Sequence, residues 1–538
     1  MERSYPPSGT FTVKTPEEEA LKIEEDKAND FHSYLADLYN SNAVTDPRCV
    51  QKIVETVENN EYLILKYGHC SKMLDKCLTD NKPAQLTFFK NFIENTSHGQ
   101  VMEVIQMKGA SFAIEHFLGS LDDNMGEEEL AYVGKLFNYV ALELDTVIFD
   151  QPSSHVLRKL VVKIGQIIAA NRESSNKKSK TKKEARVEFK KLKDQYQEVV
   201  EDILFGKFNF GLKNFDEHSR LIQDVLKSNV EHNYDIVKRY FDKVWSSCSE
   251  GAFVKALKSI VASHVFDCFI ELLKDGDLKI MVPIMESNVV ELSDHGEANH
   301  LVSKFIQIHP KICRGIGTAL LPNLTSILEK KHMKLFNAIN IYVENSDKFK
   351  KAIRNWFSEV YGDPDKVGSF ANFLTNSKDC KVEKDKMVTF DPKKINSTNT
   401  ALMKMFLTAM KCEASQFYAR IDPDTFSGML DFGESARVVE AYLDVFEDKD
   451  TSLQWVVEKL GGNIEKLFLG KAGSFVFTKI WKFDLSLPTR NEAIKLIRST
   501  KDSSTKRGKY GRLEKEVNLP LYLENKSKWD KSFSKANN

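Results

Sequence analysis

Apolar residues recur along nearly the whole chain in one short pattern, most legible at Lys108 to Leu118, K-G-A-S-F-A-I-E-H-F-L. With Ser111 as position zero, Ala113, Ile114, Phe117 and Leu118 stand at plus two, three, six and seven, the buried stripe of an amphipathic helix. Positions zero, plus one and plus four (Ser111, Phe112, Glu115) fall on another arc of the same helix. The pattern therefore predicts three side chains per helix presented together outside the core.

The template fits again at Ser71 with Met73, Leu74, Cys77 and Leu78, and at Ser154 with Val156, Leu157, Leu160 and Val161. Ser219 heads Leu221, Ile222, Val225 and Leu226; Ser263 heads Val265, Phe266, Phe269 and Ile270. Asn299, Thr400, Ala436 and Ser474 head further copies, the last running through Val476, Phe477, Ile480 and Trp481. Two copies are degraded: one near Met333, with Asn340 at its last core position, and one near Gly511. Neighbouring copies are about 36 to 44 residues apart, with two gaps of about 65, the spacing of helical repeat arrays whose end units are atypical. Few glycines and prolines interrupt the units, so the expected fold is all-α: a curved α-solenoid of about ten or eleven three-helix repeats, spanning 18–533. Residues 1–17, with Pro6, Pro7 and Pro16, and 534–538 are expected to be disordered tails.

A helix carrying a small residue, then Ser, a variable residue, two aliphatics and a polar residue resembles the Pumilio (PUF) repeat. C-S-K-M-L-D-K-C-L, K-G-A-S-F-A-I-E-H-F-L, S-S-H-V-L-R-K-L, A-S-H-V-F-D, E-A-N-H-L-V and the closing Y-G-R with K-W-D narrow the likeness. They resemble the divergent nucleolar branch of Pumilio-like proteins that act in small-subunit rRNA processing. The resemblance implies an RNA-binding protein of the nucleolus and nucleus, monomeric, with no enzymatic activity and no cofactor. Its implied partners are precursor rRNA, single-stranded and structured, near the 3′ end of the small-subunit rRNA, and pre-ribosomal small-subunit particles. It further implies that bound protein delays cleavage by a separate nuclease. Other readings of the same periodicity are a HEAT- or armadillo-like protein-interaction scaffold and a Pumilio-type mRNA regulator.

In such repeats the zero and plus-four side chains meet a base edge while the plus-one side chain stacks between bases. Ser219, Arg220 and Gln223 resemble the trio that reads adenine; Ser111 and Glu115 resemble the guanine-reading pair, with Phe112 placed to stack. Ser71 and Lys72, Ser154 with His155 and Arg158, Ser263 and His264, Asn299 and His300, Arg437, and Ser474 with Phe475 occupy the matching positions but spell no ordinary code. Shape and phosphate contacts are expected to dominate there.

Charge changes this picture in one place. The 77 basic and 77 acidic residues cancel, so no global field marks a nucleic-acid binder and any RNA site is local. The insertion at 171–188 is the exception. Lys177, Lys178, Lys180, Lys182 and Lys183 make it strongly basic, readable as a linker, a phosphate-contacting arm or a nuclear-import signal. A second insertion at 376–394 mixes signs around one short β-like run and reads as a mobile loop.

Catalytic signatures are missing. The sequence has no G-x-S-x-G, H-E-x-x-H or G-x-G-x-x-G, and the Gly470-Lys471 dipeptide lacks the spacing of a phosphate loop. Eight cysteines without a C-x-x-C pair read as reduced thiols rather than metal ligands. No apolar run approaches the roughly 20 residues of a membrane span.

Overall fold

The structure is a computed structural model describing residues 15–122, 126–174, 183–208, 212–375, 387–445, 448–470, 472–503 and 511–534. The described residues form helices joined by turns and loops, with one isolated parallel bridge among them, Val388 with Ile421. The chain divides into two compact units, Met1–Leu273 and Lys274–Asn538.

In the first unit the helices Pro16–Asn40, Gly68–Leu78, Lys108–Ser120, Gln151–Ser174, Leu212–Asn229 and Ser263–Leu272 lie side by side, each packed on the next. The predicted zero residues of this unit all sit in them. A second ladder lies behind, with Pro47–Val57 against Lys82–Asn95, then Glu127–Leu142, then Lys183–Glu201. In the second unit Ala298–Ile308, Met333–Asn345, Ser397–Ala409, Gly433–Val445, Gly473–Trp481 and Gly511–Glu516 form an equivalent series. Stacked helical repeats of this kind are an α-solenoid.

The predicted apolar stripe is the core. In the nine intact copies every plus-two, three, six and seven residue is buried except the half-buried Met73. Each such Leu, Ile or Phe contributes about 1.5–3 kcal/mol by leaving water. Cys70 and Cys77 belong to the packing: their thiols donate to the Ala28 carbonyl at 2.9 Å and the Leu35 carbonyl at 3.6 Å, and burial pushes both up to about 11. Lysines tie one repeat to the last turn of another. Lys135 Nζ reaches the Ile93 carbonyl at 2.7 Å and Lys163 Nζ the Leu121 carbonyl at 2.6 Å, where the negative end of a helix favours a cation.

Three expectations are corrected. Pro16 does not belong to a tail: it opens the Pro16–Asn40 helix, where a first-turn proline costs no hydrogen bond, behind a Thr15–Glu18 capping box. The Gln151–Ser174 helix runs through the start of the basic insertion, and Lys183 begins the following helix. Lys177, Lys178, Lys180 and Lys182 lie outside the described residues, as does the side chain of Lys183. The end of the second insertion is docked, not mobile. Val388 is fully buried, its N–H donates to the Arg420 carbonyl at 2.6 Å, its carbonyl accepts from the Asp422 N–H at 3.2 Å, and Phe390 stacks on Phe417 at 6.2 Å. The short β-like run noted in the sequence is this strap.

Candidate nucleic-acid interface

Helix geometry sorts the three predicted reading positions before any side chain is placed. At 100° per residue the plus-one position lies about 170° from the centre of the buried stripe, plus four about 130° and zero about 90°. Plus one should therefore crown the helix, while zero should face the neighbouring helix. The structure agrees. Lys72, Phe112, Arg220, His264, His300, Arg437 and Phe475 are exposed, and His155 is half-buried. Phe112 and Phe475 keep 47% and 48% of their surface in water, unusual for phenylalanine and suited to stacking.

The zero residues are not outside the core as the pattern predicted. Ser71, Ser111, Ser219, Ser263 and Asn299 are buried. Their polar groups turn back on nearby backbone: Ser71 Oγ donates to the Gly68 carbonyl at 3.3 Å and Ser111 Oγ to Lys108 at 3.1 Å within their own helices, and Asn299 Nδ2 to the His295 carbonyl, in the turn before its helix, at 2.8 Å. Close helix approach explains this. A Cβ on Gly109 would stand 2.9 Å from Gly68 Cα and 3.1 Å from Ser71 Oγ, so glycine lets the Lys108–Ser120 helix settle directly over Ser71. Ser154 and Ser474 are half-buried; beside Ser154, Ser153 takes the interior place and donates to Asp150 Oδ2 at 2.6 Å.

The plus-four residues divide into two kinds. Asp75 receives a hydrogen bond from His116 Nδ1, 2.8 Å from Oδ1, and Arg158 Nε contacts Asp224 Oδ2 at 2.6 Å. Both partners stand at plus five of the next repeat, the flank that faces plus four. Glu115 and Gln223 have no such partner. Glu115 Oε1 is buried without a hydrogen-bond partner among the described residues, and Gln223 Nε2 makes only a long 3.4 Å contact with Ser219 Oγ. Of these four repeats, the two whose trios resemble a base code are those whose plus-four side chain lacks such a tie.

One cluster escaped the repeat pattern. His218, just before Ser219, leaves helical backbone geometry (φ −125°, ψ 15°), stacks on Phe208 at 4.7 Å and meets the edge of exposed Phe149 at 5.2 Å. Burial holds its imidazole below the usual histidine range. Neither this cluster nor the plus-five partners carried a signal within a single repeat; His116 and Asp224 emerge only when plus four of one unit is set beside plus five of the next.

Side-by-side helices in consecutive repeats of about 40 residues, with a polar crest and an apolar stripe at this offset, make the chain a Pumilio-type repeat solenoid in fold. No protein-family model matches the chain. It is 20% identical over 546 aligned residues to Nucleolar protein 9 of Komagataella phaffii (strain GS115 / ATCC 20864), covering 89% of this chain and 81% of that protein. Among solved structures it is similar to APUM23-GGAGUUGACGG, at a TM-score of 0.65 and 14% identity over 94% of this chain and 99% of that one. APUM23-GGAAUUGACGG matches at 0.65 and 16% identity, with the same two coverages. Both likenesses run through the two units.

Proposed function

We propose that this chain is an RNA-binding factor of small-subunit ribosome biogenesis, working in the nucleolus as a monomer on pre-ribosomal particles. The observation that carries the reading is the exposed plus-one crest, where Lys72, Phe112, Arg220, His264, His300, Arg437 and Phe475 offer charge and flat rings in a protein of zero net charge. Base stacking on such side chains is worth about 1–3 kcal/mol per base. The similarity to a protein named Nucleolar protein 9, and to APUM23 solved with the RNA sequences its titles print, supports the assignment.

In this reading Glu115 reads guanine, because an ionised carboxylate only accepts hydrogen bonds and guanine offers two neighbouring donors on its pairing edge. Gln223, with one donor and one acceptor, meets adenine beside Arg220. The lysines 177, 178, 180, 182 and 183 add phosphate contacts or direct import. The bound stretch is precursor RNA near the 3′ end of the small-subunit rRNA, and its coverage restrains a separate nuclease. About ten repeats at one base each cover about ten nucleotides, enough to hide a cleavage site, and masking needs no catalytic group. The test follows cut product from a precursor fragment and its cognate nuclease as this protein is added. Cleavage should fall in step with RNA occupancy; undiminished cleavage of saturated RNA would remove the protective role and leave RNA binding alone.

A further inference from the structure

We infer that Phe149, held by His218, is a stacking subsite for one further base of the bound RNA, at the entry to the crest between the Ser154 and Ser219 repeats and outside the three reading positions. The inference rests on the RNA-binding reading above and starts from a comparison within the first unit. Five residues before the zero residue, the Ser71, Ser111, Ser219 and Ser263 repeats carry Lys66, Gln106, Asn214 and Lys258. The Ser154 repeat carries Phe149 there. The position closes the short helix that leads into the crest helix: Glu61–Lys66, Leu144–Phe149 and Glu250–Lys258 end on it, and Gln106 caps His98–Ile105. Polar side chains suit a helix end in water, whereas Phe149 leaves 64% of a large apolar residue exposed.

A single exposed apolar residue is common and carries no function by itself. The neighbour of Phe149 changes its meaning. His218, from the following repeat, meets the ring with centroids 5.2 Å and planes 76° apart, and the imidazole in turn lies on buried Phe208 at 4.7 Å. The Phe149 ring is thus braced from behind through a side chain that is itself only 12% exposed, while its own surface stays open. A braced, open ring has already given up the freedom that binding a base would otherwise cost. Its place fits the same ligand as the crest: His218 directly precedes Ser219 and stands two residues before exposed Arg220, and the Gln151–Ser174 helix that follows Phe149 packs on Leu212–Asn229. The local charge selects a base over a phosphate. Burial holds the imidazole below the usual histidine range, so it is neutral at pH 7, and the nearest charged group to it is the Glu217 carboxylate, 3.8 Å from Nε2. Two uncharged rings beside a carboxylate repel a phosphate and accept the flat face of a base, and because every base has such a face the subsite adds affinity without naming a sequence.

The experiment uses single-stranded RNA enriched by the full chain from a randomised pool, titrated by fluorescence anisotropy at several salt concentrations. Phe149→Ala should weaken binding by about fivefold to a hundredfold, with an unchanged melting temperature and an unchanged salt slope, since no phosphate contact is lost. Phe149→Trp should keep wild-type affinity, while Phe149→Leu, apolar but not flat, should lose most of what alanine loses. When bases are removed from the RNA one at a time, the alanine penalty should vanish at one abasic position and persist at the others. A folded alanine or leucine variant that binds as tightly as wild type overturns the inference, the result expected if the ring serves a protein partner instead. A penalty that survives at every abasic position also overturns it, because the ring would then act through the fold. Failure of the wild-type chain to enrich any RNA overturns the RNA-binding reading itself, an outcome distinct from both.

Discussion

The two units bury the same stripe and spend their crests differently. In the first, Ser111-Phe112-Glu115 and Ser219-Arg220-Gln223 present an exposed plus-one side chain with an untied plus-four group beside it. In the second, His300 and Phe475 are likewise exposed, but at three repeats the zero or plus-four groups turn inward or are lost. Ser303 Oγ donates to the Asn299 carbonyl at 2.6 Å, Thr400 Oγ1 donates to Asn396 at 3.0 Å and is followed by Ala401, and Ala436 has no polar group at all. Arg437 is exposed but paired with Glu434 at 3.1 Å. Both units pack aromatic rings in their cores: in the first, Phe253 meets Phe266 edge-on at 5.2 Å and Phe241 meets Phe269 at 5.1 Å; in the second, Trp356 lies parallel to Phe406 at 5.8 Å, Phe357 and Phe373 meet Phe406 edge-on at 5.0 and 4.7 Å, and the strap brings Phe390 onto Phe417. Stacking requires the stripe in every repeat, whereas a base needs a trio only where it is read, so the stripe persists after the trio decays.

The largest effects should fall on what the units share. Leu221→Asp puts an unpaired charge into the first unit's core and should abolish cooperative unfolding there. Phe406→Ala should cost the second unit about 3–5 kcal/mol through the cavity it opens. Circular dichroism melts check both; a mild loss in either would mean that the stripe is not equally necessary in the two units.

RNA binding should then separate them. Arg220→Ala with Gln223→Ala, both off the buried stripe, should weaken binding of the selected RNA by roughly tenfold to a hundredfold with an unchanged melt, as expected for one stacked and edge-paired base. Arg437→Ala with Glu440→Ala should stay within about threefold, since Glu440 is half-buried. Fluorescence anisotropy measures both, and a larger loss from the second pair would invert the comparison. Phe112→Ala should remove about 1–3 kcal/mol of RNA affinity without touching stability, because the ring is half in water.

The smallest effect is a titration. Burial raises the Glu440 carboxyl above the ordinary glutamate range, so the folded state binds that proton more tightly than the unfolded one. Its ionised form opposes folding at neutral pH, and the penalty fades as pH falls through the raised pKa toward the ordinary value. Glu440→Gln should therefore melt higher than wild type at about pH 8, with the gap closing by about pH 4.5. A gap independent of pH would remove the carboxyl as its cause.

Period and stripe were legible because burial repeats: Ile114, Leu157 and Phe266 occupy equivalent interior places, and any one copy locates the others. The crest was half legible. Plus one was placed correctly, as Phe112 and Arg220 show, but Ser71 and Ser111 were expected outside and lie between helices, because the pattern in one helix says nothing about how closely its neighbour approaches over Gly109. The ties of Asp75 to His116 and Arg158 to Asp224 join residues 41 and 66 positions apart, and the docking of Val388 on Ile421 is tertiary in the same sense.

Photo-cross-linking tests the central claim most directly. Single-stranded RNA carrying the selected sequence, with a photoreactive base at each position in turn, is irradiated on the full chain and the labelled peptides are identified. The account predicts cross-links within Lys108–Ser120 and Leu212–Asn229, at or beside Phe112 and Arg220. Cross-links confined to the outer ladder, Lys82–Asn95 and Glu127–Leu142, would contradict it.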